Sequence, residues 1–424
     1  MPILLKMNLK CNFRCKYCYQ RAIRPEEEII NHKAVEETIL RLWEQGGGKD
    51  PKTGKPKLND KGQYCGPQIT LHGGEPTVLP IEDFERYLKL SHRLTGCSGI
   101  QTNGYNITDA MIQMFKKYHT HVGISIDGPY PLSENRGNGT PELRKKMVAK
   151  IFKNMDKLRK EKISLSVIAV IHKQNALGER REILKKWVKE LDSKGITGRL
   201  NPCCSGIDEI DLTPDEAIEA YTDLYNFMLE EGLSQWSPFK DIINSFKGES
   251  EVVCSFRGCD PYCTSSAITV LNDGTIGVCL RLYGDGKKYL RAITTSSLRQ
   301  EVLYKNDCAG CEWWQHCYGG CSGLSVDWDW RNKDRYCELY KVLFEKTDNM
   351  FKALRIQKPR QAPSPSSSGI PTGGFGQHND GVEHLDGDTR HLDSDNHTDS
   401  DNTTGDHTDG IEHQDGVLKH LDSG

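Results

Sequence analysis

The segment ILLKMNLKCNFRCKYCY at residues 3–19 decides how the rest of the chain is read. It opens with an apolar run of strand length, Ile3–Met7, and passes directly into three thiols, Cys11, Cys15 and Cys18, spaced C-x3-C-x2-C. Three thiolates on one short loop can each bind an iron of a cubane cluster and leave the fourth iron open to a chelating ligand. A structural zinc site wants four ligands in paired spacing. The next thiol is Cys65, inside a Gly/Lys/Pro-rich stretch, so the spacing favours iron–sulfur chemistry over a zinc knuckle.

Working outward, short apolar runs alternate with amphipathic helical stretches. Strands are expected at Ile3–Met7, Gln68–Leu71, Gly99–Thr102, His121–Ile126, Ser164–Ile171 and Gly198–Pro202, with helices near 33–45, 81–93, 107–118, 141–160 and 178–194. This alternation predicts parallel βα units. Six of them make an α/β fold, a partial (β/α)6 TIM-like barrel, with its chemistry at the C-terminal ends of the strands. Residues 46–67 read as an exposed loop insertion. The expected organisation is a barrel at 1–212, a helical connector at 213–253, a Cys-rich domain at 254–355, a Pro/Ser/Gly linker at 356–377 and a disordered acidic tail at 378–424.

No signal-peptide pattern opens the chain, and no apolar stretch reaches the length of a membrane span, so a soluble cytoplasmic protein is expected. In a reducing compartment, 16 cysteines in 424 residues point to metal ligation rather than to disulfides. The net charge of −3 conceals an asymmetry: residues 377–424 hold 13 acidic and 2 basic residues, net −11, leaving 54 basic and 46 acidic in the body, net +8. No compact basic patch interleaved with aromatics stands out in that body, so nucleic acid is not an expected partner, nor is a membrane.

The second expected strand runs into Gly73-Gly74-Glu75-Pro76, and the next two end at Gln101-Thr102-Asn103-Gly104 and Ser125-Ile126-Asp127-Gly128-Pro129. Together with the C-x3-C-x2-C triplet and Tyr17 before its last Cys, these segments resemble the radical S-adenosylmethionine (SAM) superfamily, in particular peptide-modifying members such as the anaerobic sulfatase-maturing enzymes. The resemblance covers about residues 1–355. It implies a [4Fe–4S] cluster on Cys11, Cys15 and Cys18, with SAM on the open iron supplying a 5′-deoxyadenosyl radical after one-electron reduction. By the same resemblance Tyr17, Gly73, Gly74 and Glu75 would contact SAM, and Ser125 and Arg136 could take its carboxylate. Read without the resemblance, Ser125 caps a turn and Arg136 is solvated. An electron donor such as flavodoxin or ferredoxin is implied.

Further along, Cys263 is followed by ten residues, Gly274, four more and Cys279; then come Cys308-x2-Cys311-x5-Cys317-x3-Cys321 and, after fifteen residues, Cys337. This matches the SPASM domain pattern of the same branch. The pattern supplies seven of the eight thiolates that two cubanes need. The resemblance implies that Cys259, favoured over Cys254, joins Cys263, Cys279 and Cys321 in the first auxiliary cluster, and that Cys308, Cys311, Cys317 and Cys337 hold the second. With the SAM cluster that makes three [4Fe–4S] clusters; two zinc sites are the competing reading of the paired spacings. Cys65, Cys97, Cys203 and Cys204 carry no assigned role. Sulfatase-maturing enzymes place an Asp base directly after the Cys matching Cys279, whereas this chain has Leu280-Arg281. That departure puts formylglycine formation in doubt and favours another peptide reaction, with the catalytic base unassigned.

The tail repeats His-x-Asp-[Gly/Ser] seven times: His378 with Asp380, His384 with Asp386, His391 with Asp393, His397 with Asp399, His407 with Asp409, His413 with Asp415, and His420 with Asp422. Three readings stay open: an inert solubilising tail, a metal-capturing tail, and a substrate fused in cis. The last rests on a resemblance to the aromatic-x-X triplets of three-residue cyclophane-forming maturases of ribosomal peptides, which join an aromatic ring to the β-carbon two residues along. It implies a His–Asp crosslink, with modification of a separate peptide or protein as the alternative.

Overall fold

In the computed structural model, Ile3–Lys6 forms β1, an interior strand of an eight-stranded sheet ordered β6-β5-β4-β3-β2-β1-β7-β8. The structure describes residues 2–20, 29–249, 252–262, 267–277, 279, 281 and 297–354. Cys263, expected in the first auxiliary cluster, lies outside them, as does the linker. So do all the tail residues expected to be modified: the imidazoles His378, His384, His391, His397, His407, His413 and His420, and the carboxylates Asp380, Asp386, Asp393, Asp399, Asp409, Asp415 and Asp422.

After β1 the chain alternates α1 (His32–Gln45), β2 (Ile69–His72), α2 (Ile81–Thr95), β3 (Ser98–Thr102), α3 (Asp109–Lys117), β4 (Thr120–Ser125), α4 (Pro141–Lys160), β5 (Leu165–Ile171), the short α5 (Lys173–Ala176), α6 (Glu179–Ser193) and β6 (Thr197–Pro202). Each expected strand and helix of this half lies within two residues of an observed one. All neighbours from β1 to β6 pair in parallel, beginning with Ile3 opposite Ile69. Leu5, Leu71, Val122, Ile124, Ala169 and Leu200 are fully buried between sheet and helices. Each of the larger aliphatics contributes about 1.5–3 kcal/mol over an exposed position. Side-chain caps start the helices: Asn31 accepts from Ala34 N, Thr108 from Met111 N and Thr140 from Leu143 N. Each is worth roughly 1 kcal/mol, and together they fix where the strand-end loops stop.

The connector contains α7 (Pro214–Glu230), opened by a Thr213–Glu216 capping box, and α8 (Phe239–Lys247). The Cys-rich segment follows with β7 (Ile268–Leu271), β8 (Ile276–Gly277), α9 (Leu298–Lys305), the one-turn α10 (Trp314–Cys317) and α11 (Cys337–Ala353). It is too poor in apolar residues to build a core by itself, and β7 shows what it does instead. All four β7 residues are buried, and the strand pairs in parallel with β1, Ile268 opposite Ile3. The first strand of the chain is thus flanked on one side by β2 and on the other by a strand 265 residues later. Helix α11 packs back on α7, where Tyr225 Oη and Thr347 Oγ1 meet at 2.7 Å. Residues 46–67 form a mostly exposed excursion closed by antiparallel bridges Lys49–Pro56 and Leu58–Tyr64, as expected of an insertion.

Candidate metal centre

The six parallel strands end at one edge, and the loop carrying Cys11, Cys15 and Cys18 crosses it. Its seat is the turn after β2. Gly74 N donates to Asn8 O at 2.8 Å, Glu75 N to Lys10 O at 2.9 Å, and Asn8 Nδ2 to Glu75 O at 3.1 Å. A Cβ on Gly74 would sit 2.3 Å from the carbonyl oxygens of Leu9 and Lys10, so only glycine lets the two loops touch. Two further strand-end loops hold the thiol loop from the sides: Asn103 Nδ2 donates to Asn12 Oδ1 and Asn138 Nδ2 to Asn12 O, both at 2.7 Å, and Lys16 N reaches Asn135 O at 2.9 Å.

Glu75 is bonded by the protein on both oxygens. Its side chain is 1 % exposed and its oxygens accept from Thr77 N (3.1 Å), Thr77 Oγ1 (2.8 Å), Thr102 Oγ1 (2.5 Å) and Asn103 N (2.7 Å). Burial raises its carboxyl pKa, and these donors oppose the rise. In this structure the carboxylate is a tie between the ends of β2 and β3, and its acceptor sites are occupied by the protein. Ser125, at the end of β4, accepts from Gln101 Nε2 at 2.8 Å, a link to the neighbouring strand.

Tyr17 and Arg136 are both buried and belong to one network. The Tyr17 hydroxyl donates to Asp127 Oδ2 and accepts from Arg136 Nη1 at 2.7 Å. Asp127 Oδ1 takes Val170 N at 2.9 Å, and Arg136 Nη1 stands 3.8 Å from the same oxygen. Burial is the largest single influence on Asp127 and disfavours its charge, but the Arg136 guanidinium, His172 and the Tyr17 hydroxyl together outweigh it and hold the carboxyl below its ordinary value. His172, fully buried, places Nε2 3.7 Å from Asp127 Oδ2, beyond hydrogen-bonding distance. Arg136 is therefore not solvated. Burial pushes the Cys15 thiol up, and the Arg136 charge opposes this.

These residues fit an iron–sulfur cluster that carries an amino-acid cofactor. Three thiols share one tethered loop, and beside it lie buried polar atoms that find no hydrogen-bond partner among the described residues: Asn8 Oδ1, Arg136 Nε, Asn138 Oδ1 and both His172 ring nitrogens. Of the participants, sequence reasoning missed Asn12, Asn138 and His172 and gave Asn103 and Asp127 no role. Only the position of Asp127 and Asn103 at strand ends offered a signal.

In the Cys-rich segment, Cys308, Cys311, Cys317 and Cys337 line one cavity of about 340 Å³, counted to its open mouth, with Asp334 and Lys333 in its wall. Burial pushes Cys308, Cys317 and Cys337 upward as thiols, Cys337 to about 11 against the pull of Lys341 and Lys333. Such thiols deprotonate when a metal takes the proton's place. A second group gathers around Cys321. Its thiol is raised by a hydrogen bond with Cys259 and by burial, while Arg281 opposes the rise. Cys254 is pushed up to about 12 by burial and by the nearness of Cys279 and Cys321. Cys254 and Cys259 thus both approach this group. Among the described residues no three thiol, imidazole or carboxylate groups converge in ion-binding geometry. Of the unassigned thiols, Cys203 packs beside Tyr17, Cys204 accepts from Arg335 Nη1 at 3.2 Å, and Cys97 Sγ donates to Gln68 Oε1 at 3.2 Å.

A parallel α/β sheet with a three-thiol loop at its C-terminal edge defines the radical SAM class. Residues 5–186 match the radical SAM superfamily, and the chain is a radical SAM superfamily enzyme related to the sulfatase-maturating enzymes. It is 23 % identical over 391 residues to the cysteine-type anaerobic sulfatase-maturating enzyme of Clostridium novyi, covering 82 % of this chain and 94 % of that protein. It is also 23 % identical over 380 residues to the radical SAM cyclopropyl synthase TigE of Paramaledivibacter caminithermalis, covering 82 % and 75 %. Among solved structures, anSMEcpe with bound AdoMet superposes with a TM-score of 0.65 at 20 % identity, covering 83 % of this chain and 98 % of that one. Streptococcus suis SuiB bound to its precursor peptide SuiA gives 0.53 at 15 % identity, covering 80 % and 75 %. These two likenesses are likenesses of fold.

Proposed function

We propose that this enzyme is a maturase that performs radical chemistry on a peptide. The observation that carries the reading is the seating of the Cys11/Cys15/Cys18 loop on the strand ends, tied by Asn12 to two neighbouring loops. Relatives whose names and bound partners denote peptide or protein modification support the substrate class. When bound, SAM supplies a 5′-deoxyadenosyl radical for hydrogen abstraction. The chain's own part is to hold the loop, keep the site dry and offer polar groups to the amino-acid end of SAM, Arg136 Nε and Asn8 Oδ1 having no partner among the described residues.

The finer reading keeps the five-part organisation with boundaries at 212, 253, 355 and 377, three [4Fe–4S] clusters, and a flavodoxin or ferredoxin as donor. Among the described residues no helix is long and apolar enough to cross a membrane. A cytoplasmic location belongs to the proposal. The substrate proposed is the chain's own His-x-Asp repeat, from His378 and Asp380 to His420 and Asp422. A hydrogen atom leaves the Asp β-carbon, a carbon–carbon bond forms to the imidazole, and the second hydrogen leaves as a proton with its electron accepted by an auxiliary cluster. The alternative is a separate peptide or protein, with the tail capturing metal or inert. Mass spectrometry of the tail after anaerobic turnover separates them: a covalent loss of hydrogen in residues 378–424 supports the first, and an unchanged tail with deoxyadenosine accumulating moves the assignment to the second.

A further inference from the structure

The Cys-rich segment buries a cation whose guanidinium, among the described residues, bonds no carboxylate. Arg299, in the first turn of α9, is 0 % exposed. Its Nε donates to Trp330 O at 2.8 Å, Nη1 to Gly320 O at 3.1 Å, and Nη2 to Gly319 O at 2.8 Å, Asn332 O at 3.1 Å and Ser325 Oγ at 3.4 Å. Every acceptor is neutral, and among the described residues the guanidinium forms no salt bridge. Two buried carboxylates stand near it without bonding the guanidinium: Asp260 Oδ2 accepts from the Arg299 backbone N at 2.8 Å, and Asp334 feels the Arg299 charge.

The guanidinium is aimed at the ligand turn of the cavity. Two of the five acceptors belong to the turn between Cys317 and Cys321. Tyr318, Gly319 and Gly320 all have positive φ there (49°, 83° and 71°). That conformation sends the Gly319 and Gly320 carbonyls to Arg299, while the Gly319 N–H donates to the Cys317 thiol. A Cβ on Gly319 would lie 2.2 Å from Leu303 Cδ1, so the turn admits no side chain at that position. Asp334, 1 % exposed in the cavity wall, feels the Arg299 charge but spends its oxygens on Cys321 N and Tyr336 N.

We propose that Arg299 is the counter-charge and positioning residue of the second auxiliary cluster, opposed by Asp334. This rests on the cluster assignment above to Cys308, Cys311, Cys317 and Cys337. A cubane held by four thiolates is an anion and gains one more negative charge on reduction. A fixed buried cation therefore favours the reduced form, and a fixed anion disfavours it. The guanidinium does both jobs: its fork ties the ligand turn, and its charge acts on the cluster.

The test is an EPR-monitored redox titration of anaerobically reconstituted protein. Wild type is measured first; if it shows no auxiliary cluster signals, the cluster assignment fails and the Arg299 question lapses with it. Given those signals, Arg299→Met is expected to shift the second auxiliary couple negative by about tenfold in its one-electron equilibrium, about 59 mV. Arg299→Lys, with the charge but fewer donors, should melt earlier yet keep the wild-type potential. Asp334→Asn retains an acceptor for Cys321 N and should move the potential positive. An Arg299→Met protein with full iron and an unchanged potential overturns the proposal. So does an Arg299→Lys protein shifted as far as the Met variant, since charge would then not be the cause. Should neither Arg299 variant fold, Asp334→Asn decides alone, and an unmoved potential rejects the electrostatic role.

Discussion

The hydroxyl of Tyr17 donates to the carboxylate of Asp127 across 110 residues of sequence, inside a site where both side chains are buried. This bond pins the residue before the third thiol of the cluster loop to the end of β4. Tyr17→Phe leaves Asp127 and Arg136 facing each other without their shared hydroxyl, at a cost of roughly 1–3 kcal/mol for the unsatisfied group. The variant should melt earlier than wild type and lose iron faster from the SAM cluster on gel filtration. Equal iron retention would show that the loop is held without this bond.

The ties around Glu75 predict a stability defect as well as a catalytic one. Glu75→Ala strands four donors, those of Thr77 N, Thr77 Oγ1, Thr102 Oγ1 and Asn103 N. A loss of about 2–3 kcal/mol in denaturant unfolding is expected, together with weaker SAM cleavage. Glu75→Gln keeps two lone pairs on one oxygen and should fall between. Weakened cleavage at unchanged stability would return the residue to direct SAM binding.

Iron counting tests the cluster assignments. Reconstituted protein should hold about twelve irons from three cubanes, and replacing Cys11, Cys15 and Cys18 together with Ala should remove about four. Cys15→Ala alone should abolish 5′-deoxyadenosine formation. In the first auxiliary cluster, Cys259→Ala and Cys263→Ala should each lose about four irons and Cys254→Ala should not. The nearness of Cys254 to Cys279 and Cys321 makes the reverse outcome for 254 and 259 informative: it would exchange them in the ligand set.

His72 gives a pH dependence with a definite sign. Burial, helped by the charge of Lys6, lowers its pKa from 6.5 to about 4, and its Nδ1 accepts from Gly73 N at 2.9 Å. Between those two values the unfolded chain binds a proton that the folded chain refuses, so stability falls as pH is lowered from 6.5 to about 4 and is untouched above 6.5. His72→Gln preserves an acceptor and should flatten that part of the Tm-versus-pH curve. An unchanged acid limb would assign the loss to other groups.

The tail repeat gives a prediction read by mass. Each completed His–Asp crosslink removes two hydrogens, about 2 Da per modified repeat and up to seven repeats. Asp386→Ala should block its own repeat and leave the one formed by His391 and Asp393 modifiable. Metal capture gives no covalent mass change, and an inert tail can be deleted without loss of activity on the true substrate.

What the sequence determined by itself was local. Strand and helix periodicities placed β1 to β6 and their helices because each element's buried face is written in neighbouring residues. The triplet Cys11, Cys15, Cys18 was legible because three ligands on one loop need no folding to be near one another. The tertiary structure alone decided whatever joins distant segments. It set β7 beside β1, turned the Glu75 carboxylate inward as a tie, and buried Arg136 with Tyr17 and Asp127 where a solvated arginine was the plainer reading. It also buried Arg299 behind the cluster turn. Each of these depends on which backbone donors and charges meet after the chain has closed on itself, and a one-dimensional pattern of apolar and polar residues carries no record of that meeting.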